Sequence, residues 1–256
     1  MTRYILSFSI LLLCASSVFA QVGEHRSDFA VGFNGGYALS QVNFVPEVPQ
    51  SWHTGITGGL TLRYTSEKYF NSICAIVAEL NYVQIGWKEN ILTPKDEPVI
   101  NAVTGLAEEY LRDMSYFQIP VMARMGWGRE RRGIQFFVQA GPQLGFFLSE
   151  STKMNFPWEN RTPVYTDGSG RTSGVIAQDT MSVQHHVDYG ISAGAGLEFS
   201  LNRVGHFMLE GRYYYGLGDI FNNSKRDYFG RSNFSQITIK LSYLFDIART
   251  RNKEIK

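Results

Sequence analysis

Cysteine is nearly absent. Cys14 and Cys74 are the only two in 256 residues, too few for a disulfide framework or a multi-cysteine metal site. Charge is also scarce: Asp, Glu, Lys and Arg make up 18% of the chain, against about 25% in typical soluble domains. The formal net charge is +1, which gives no electrostatic footprint for nucleic acid or for an acidic partner. A single apolar run and a mean hydropathy of −0.16 exclude a polytopic helical membrane protein. What the chain does have is glycine (25), phenylalanine (18) and tyrosine (14). That mixture excludes disorder and a coiled coil and points to a β protein.

The one apolar run is an address. Arg3 supplies a positive start, Ile5 to Cys14 an apolar stretch, and Val18-Phe19-Ala20 a small-residue cleavage pattern, so residues 1–20 read as a signal peptide. The run is too short to cross a bilayer, and Leu13 stands where a lipoprotein signal before Cys14 would need a small residue. Cleavage leaves basic and acidic groups equal in number and a lone Cys74.

The rest of the chain alternates with period two. Phe29, Val31, Phe33, Tyr37 and Leu39 interleave with Ala30, Gly32, Asn34, Gly36 and Ser40. The pattern returns over 52–64, 76–82, 117–127, 135–148, 187–199, 207–215 and 236–245, giving eight candidate strands. Connections of the two kinds take turns: long ones near 41–51, 88–109, 150–184 and 217–232, short ones near 65–72, 128–133 and 200–205. Outer-membrane barrels sort their loops this way, with short periplasmic turns and long outer loops. The expected architecture is all-β: an eight-stranded antiparallel up-and-down transmembrane barrel over 21–247, after the signal peptide and before a short basic periplasmic tail, 248–256.

A soluble barrel also alternates, but its polar face meets water and is rich in Lys and Glu. Here the polar face is mostly Gly, Ala, Ser, Asn and Gln, which suits the narrow, side-chain-filled interior of eight strands. The inward positions also hold four cations, Arg63, Arg124, Arg212 and Lys240, and four anions, Glu79, Asp188, Glu198 and Glu210. Buried charge needs partners, so these eight read as a lumen charge network that plugs the barrel. Trp52, Tyr64, Trp127, Tyr189, Phe199, Phe207, Tyr215, Tyr243 and Phe245 read as aromatic girdles at the two membrane rims. Pro120 and Pro142 each remove a ladder bond, so a bulge or a local break is expected at each. Trp87 has the wrong parity for the lipid face and belongs to a loop base.

The loops carry no nucleophile elbow, Gly-rich phosphate loop or Cys/His ligand cluster, and no cofactor is implied. Helix formers from Ala102 to Leu111 predict a short surface helix. His185 and His186 sit at the outer end of the sixth strand, where one could act as a general base for Ser182 or Ser149 in a lipid-modifying enzyme; a plain rim position is the simpler reading.

Four strand motifs resemble the PorT-like outer-membrane β-barrel family: Ala78-Glu79-Leu80-Asn81-Tyr82, Ile119-Pro120-Val121-Met122-Ala123-Arg124, Gly141-Pro142-Gln143-Leu144-Gly145-Phe146 and Arg212-Tyr213-Tyr214-Tyr215-Gly216-Leu217. The resemblance covers about 28–247. It implies a non-enzymatic role accessory to protein secretion through the type IX system, with secretion-system or other envelope proteins as partners beside outer-membrane lipid. It supplies no catalytic residues. A structural or adhesive surface barrel and a lipid-modifying barrel enzyme are the alternative expectations.

Overall fold

The computed structural model describes residues 24–69, 72–93, 95–101, 103–129, 133–156, 179, 181–201, 204–223 and 229–249. The expected signal peptide and all but the first two residues of the expected basic tail lie outside them. Eight long strands follow in chain order: β1 (Glu24–Val45), β2 (His53–Tyr69), β3 (Ser72–Asn90), β4 (Glu109–Gly128), β5 (Gly133–Met154), β6 (Val187–Leu201), β7 (Gly205–Gly216) and β8 (Arg231–Ala248). Each pairs antiparallel with its chain neighbours, and β1 closes the ring on β8 from Phe29↔Ala248 to Val45↔Arg231. A two-residue segment, Gln50–Ser51, adds to β3 beside Glu89 and Lys88. This is the expected eight-stranded up-and-down barrel, and closure leaves no free edge within the ring.

The side chains are arranged inside out. Leu62, Leu80, Val121, Val138, Leu209 and Leu241 stand exposed on the outer wall, while Thr61, Glu79, Gln139, Glu210 and Lys240 are buried within it. In water that order would be unstable. In lipid it is the favourable one, since hydrocarbon solvates the outer wall and every strand's polar backbone is paired in the ring.

The order then reverses along the same strands. Tyr82 on β3 pairs with Phe117 on β4, their rings 6.3 Å apart and edge to face, and they are the last exposed large apolar residues on the outer wall of these two strands. Beyond them the outward positions are mostly polar, Gln84 and Lys88 on β3, Ser115, Asp113 and Glu109 on β4, with Leu111 half-buried among them. The inward ones become apolar: Val83, Ile85, Trp87, Tyr110, Met114 and Tyr116. The barrel therefore continues past the membrane as a water-soluble stalk with an ordinary apolar core. This explains strands of up to 22 residues, about twice what a crossing needs.

Of two local expectations, one holds and one does not. The prolines bring the expected local break and no bulge: Val121 and Met122 have no partners on β5, where Pro142 and Gly141 stand opposite, and the register resumes unchanged at Ala123↔Ala140. The bulge in β5 falls instead at Leu148, where Ser115↔Ser149 is followed by Tyr116↔Phe147. The short helix expected over Ala102 to Leu111 is absent from the described residues. A turn closes from Asn101 to Gly105, Ile100 bridges Ala107, and β4 begins at Glu109. Helix propensity loses from Glu109 on to pairing with β3 and β5, and before it to the main-chain bonds of Glu108 with Ile91 and Val99, a tertiary override of a weak local preference.

Candidate functional site in the barrel lumen

Small outward-to-inward steps along each strand place the lumen side chains in stacked layers. Nearest the periplasmic turns, Glu198 of β6 accepts Arg63 Nη1 of β2 at 2.7 Å and also Arg124 Nη2 of β4. His206 of β7 sits between two carboxylates, Nδ1 at 2.7 Å from Glu198 and Nε2 at 3.0 Å from Asp246 of β8. The Arg124 guanidinium also stacks 3.7 Å from the Phe137 ring centroid. The cavity left among these groups is about 40 Å³, room for two or three waters.

The middle layer turns on Glu79 of β3. It accepts Arg212 of β7 at 2.9 and 3.0 Å, and Lys240 Nζ of β8. Arg212 also donates to Glu210 at 2.7 Å, and Lys240 lies 3.5 Å from the same carboxylate. Amides complete the layer: Gln139 donates to Glu210 at 2.7 Å, Asn81 to Glu79 at 2.8 Å, and Asn34 to Asn81 and Thr61. Two carboxylates and two cations, all at most 6% exposed, thus face one another with most lone pairs and protons engaged. A buried ionic group persists only under that condition.

Above this lie neutral polar links, Gln118 to Gln236 at 3.0 Å and Ser192 to Gln143 at 2.7 Å. The stalk core closes the barrel over them. Trp87, Phe44, Phe221, Phe229, Tyr116 and Phe234 fill its section, with Phe44–Trp87 and Tyr116–Phe234 in edge contact at 5.3 and 5.6 Å. Arg112 enters this apolar core with its guanidinium 5.6 Å from both the Trp87 and Phe221 rings. Its nitrogens donate to Glu150 at 2.5 and 2.9 Å and to the Met181 carbonyl at 2.9 Å.

Seven of the eight lumen charges named from sequence meet in these layers: Arg63, Arg124 and Glu198 in one, Glu79, Glu210, Arg212 and Lys240 in the other. Asp188 stands apart at the base of the apolar core, where it accepts the Tyr214 hydroxyl at 2.6 Å and no cation among the described residues. Its assigned place as an ionic partner is taken by Asp246, with His206. Sequence reading missed both because it began β7 at Phe207 and ended β8 at Phe245. Their signal was parity: His206 continues Met208 and Glu210, and Asp246 continues Ser242 and Leu244 to within one ladder step.

Of the aromatic residues named for the rims, Trp52, Tyr64, Trp127, Tyr189, Phe199, Phe207, Tyr215 and Phe245 are exposed on the outer wall. Tyr243 is half-buried, its ring 4.8 Å from Phe207 and its hydroxyl donating to the Val204 carbonyl at 2.6 Å. Trp87 is wholly buried in the stalk. His185 and His186 are exposed, His186 stacking on Phe147, and neither imidazole bonds a serine among the described residues.

Two Ser–His–Asp arrangements do occur elsewhere. Ser40 Oγ lies 3.4 Å from His53 Nδ1, and His53 Nε2 contacts Asp113. Ser200 Oγ lies 2.9 Å from His206 Nδ1, which in turn reaches Asp246. Neither suits nucleophilic catalysis. Ser40 is fully buried and its hydroxyl is held by both main-chain groups of Gly86. Ser200 is 2% exposed, and Glu198 faces the same imidazole nitrogen, so that nitrogen carries a proton and is no base for the hydroxyl.

A family model described as outer membrane protein beta-barrel domain matches residues 19–222. No curated protein matches the chain. Among solved structures, Neisserial surface protein A is similar over 87% of this chain and 100% of its own, at 11% identity and a TM-score of 0.42. OprG from Pseudomonas aeruginosa is similar over 87% and 98%, at 14% identity and a TM-score of 0.38. The attachment invasion locus protein Ail of Yersinia pestis is similar over 87% and 99%, at 14% identity and a TM-score of 0.34. With its inside-out ring of eight strands, the chain belongs to the outer membrane protein beta-barrel domain family, proteins of the bacterial outer membrane.

Proposed function

We propose that this protein is a closed, non-enzymatic outer-membrane barrel of PorT-like type that acts through its surfaces as an accessory to protein secretion. The observation that carries the reading is closure in series. Two ionic layers fill the lumen within the membrane, and an apolar core fills the stalk outside it, so work done by this barrel is done at its rims and loops. The secretion role rests on the four strand motifs shared with PorT-like proteins. A surface-binding role is the second reading, and the stalk favours it, because it carries a water-facing wall well clear of the membrane.

Deletion followed by secretome analysis tests the choice. Accumulation of cargo precursors in the periplasm is the expected result. Normal secretion with loss of cell-surface binding would move the assignment to the second reading, and an altered lipid A mass spectrum would overturn both.

A further inference from the structure

Just before β6 the chain descends the stalk as an irregular strap, Met181–His186. The strap is part of the stalk wall. Val183 is buried in the aromatic core and Met181 packs against it, while Ser182, Gln184, His185 and His186 face water. Main-chain bonds hold its lower end. Gln184 N–H and His185 N–H both donate to the Ile220 carbonyl, at 3.1 and 3.2 Å, and Phe147 N–H of β5 donates to the His186 carbonyl at 2.8 Å. Ile220 N–H in turn donates to the Ser232 carbonyl of β8 at 3.0 Å. On this side the wall therefore runs from β5 through the strap and Ile220 to β8.

The upper end is fastened by side chains of β4. Arg112 Nη2 donates to the Met181 carbonyl at 2.9 Å, and the Tyr110 hydroxyl donates to an Asp179 carboxylate oxygen at 3.4 Å. Arginine is a costly residue for this place. It is 3% exposed, on the same face of β4 as buried Tyr110 and Met114. Well-packed apolar residues in place of a buried ion pair are often neutral or stabilising, so the stability of the core does not account for the cation. What a guanidinium adds is direction, through charge-assisted bonds. From β4 it reaches Glu150 of β5 and the strap together, with the Trp87 and Phe221 rings each 5.6 Å away.

We propose that Met181–His186 is a lid over the aromatic core and that Arg112 is its latch. With Arg112 on the Met181 carbonyl, Val183 stays seated and the stalk is closed. With that bond released, Gln184 and His185 part from Ile220, the strap turns about His186, and the core is bared beside Phe221. No ladder bond of the ring is broken in the process, so the opening is local. The strap is the descending end of the longest outer connection, so one side chain decides whether that end is held or free. The inference rests on the surface-acting role proposed above and adds the control on that surface.

Amide hydrogen exchange on the full chain in lipid nanodiscs tests it. In the parent, the Gln184 and His185 amides should exchange slowly, yet faster than ladder amides of β4 and β5. Arg112→Met keeps an apolar side chain against Trp87 and Phe221 and removes the fastening. It should speed the two strap amides at least tenfold and leave the ladder amides unchanged. Should that variant give no folded band, Tyr110→Phe removes only a hydroxyl and should speed the same amides at least threefold. Strap amides as fast in the parent as in an unfolded peptide would mean that no lid is closed, and would overturn the proposal. Unchanged strap rates in the variant would overturn the latch. Equal acceleration of strap and ladder would overturn it too, since Arg112 would then only support the stalk fold. Secretome analysis of the deletion strain bears on the surface-acting role and not on the exchange pattern, so the two failures are distinguishable.

Discussion

Glu79 is the residue on which the lumen turns. It is 3% exposed and compensates both Arg212 and Lys240. Glu79→Ala leaves two buried cations sharing only Glu210, and breaking a buried pair costs about 3–5 kcal/mol. Urea titration of the folded, heat-modifiable band in detergent should show that loss. Asp188→Asn is the contrast. Asparagine still accepts from Tyr214, and with no cation to orphan, the change should stay within about 1 kcal/mol. The buried serines allow a second test at this scale. Ser40→Ala and Ser200→Ala should leave the lipid A mass spectrum unchanged, since neither hydroxyl can reach a substrate. Loss of a modification in either variant would restore the enzymatic alternative.

At the level of the strand, the controlling fact is which side of Tyr82 and Phe117 a residue occupies. Below that line an outward charge meets hydrocarbon. Above it the same charge meets water. Val121→Arg places a cation on the lipid face of β4 and should cost about 2–4 kcal/mol at mid-membrane depth. Ser151→Arg, outward on the stalk, should cost nothing measurable in the same unfolding titration. The membrane half of this pattern was legible in the sequence, because period two with small polar residues on one face has one stable reading in a narrow barrel. The stalk was not. Gln84, Lys88 and Ser115 still alternate with Ile85, Trp87 and Met114, so the period persists while its meaning inverts, and the strands were read as ending near the membrane. Trp87 marked the inversion: its parity was wrong for lipid and right for a core. The bulge at Leu148 hid the rest of β5, since one extra residue exchanges the two faces. Proline was legible: a bulge or a local break was expected at Pro120 and Pro142, and the ladder breaks where Val121 and Met122 face Pro142 and Gly141, with the register kept. Beside them Gly141 lets the strands approach closely, since a Cβ there would lie 2.1 Å from the Val121 carbonyl oxygen.

The whole molecule has two closures of different chemistry in one tube, and they are independent because they lie in different media. The ionic layers are stabilised by mutual charge compensation within the membrane. The stalk core is stabilised by burial of aromatic surface outside it. Two seals in series mean that conductance should depend on both together. Replacing Glu79, Glu210, Arg212 and Lys240 with alanine or serine removes the middle layer's charges in balance, leaving no orphaned ion there, yet the stalk still blocks the path. Trp87→Ala with Phe221→Ala opens the stalk, at about 3–5 kcal/mol per ring, and leaves the ionic layers in place. Planar-bilayer recordings of the parent and of either variant should therefore show no stable channel. Combining the six substitutions with alanine or serine at Arg63, Arg124, Glu198 and Asp246, which empties the other ionic layer in balance, should produce one, provided the folded band survives on unboiled gels. Conductance from the stalk variant alone would show that the ionic layers pass solute, and the barrel would then have to be read as a gated pore whose outer core is the gate.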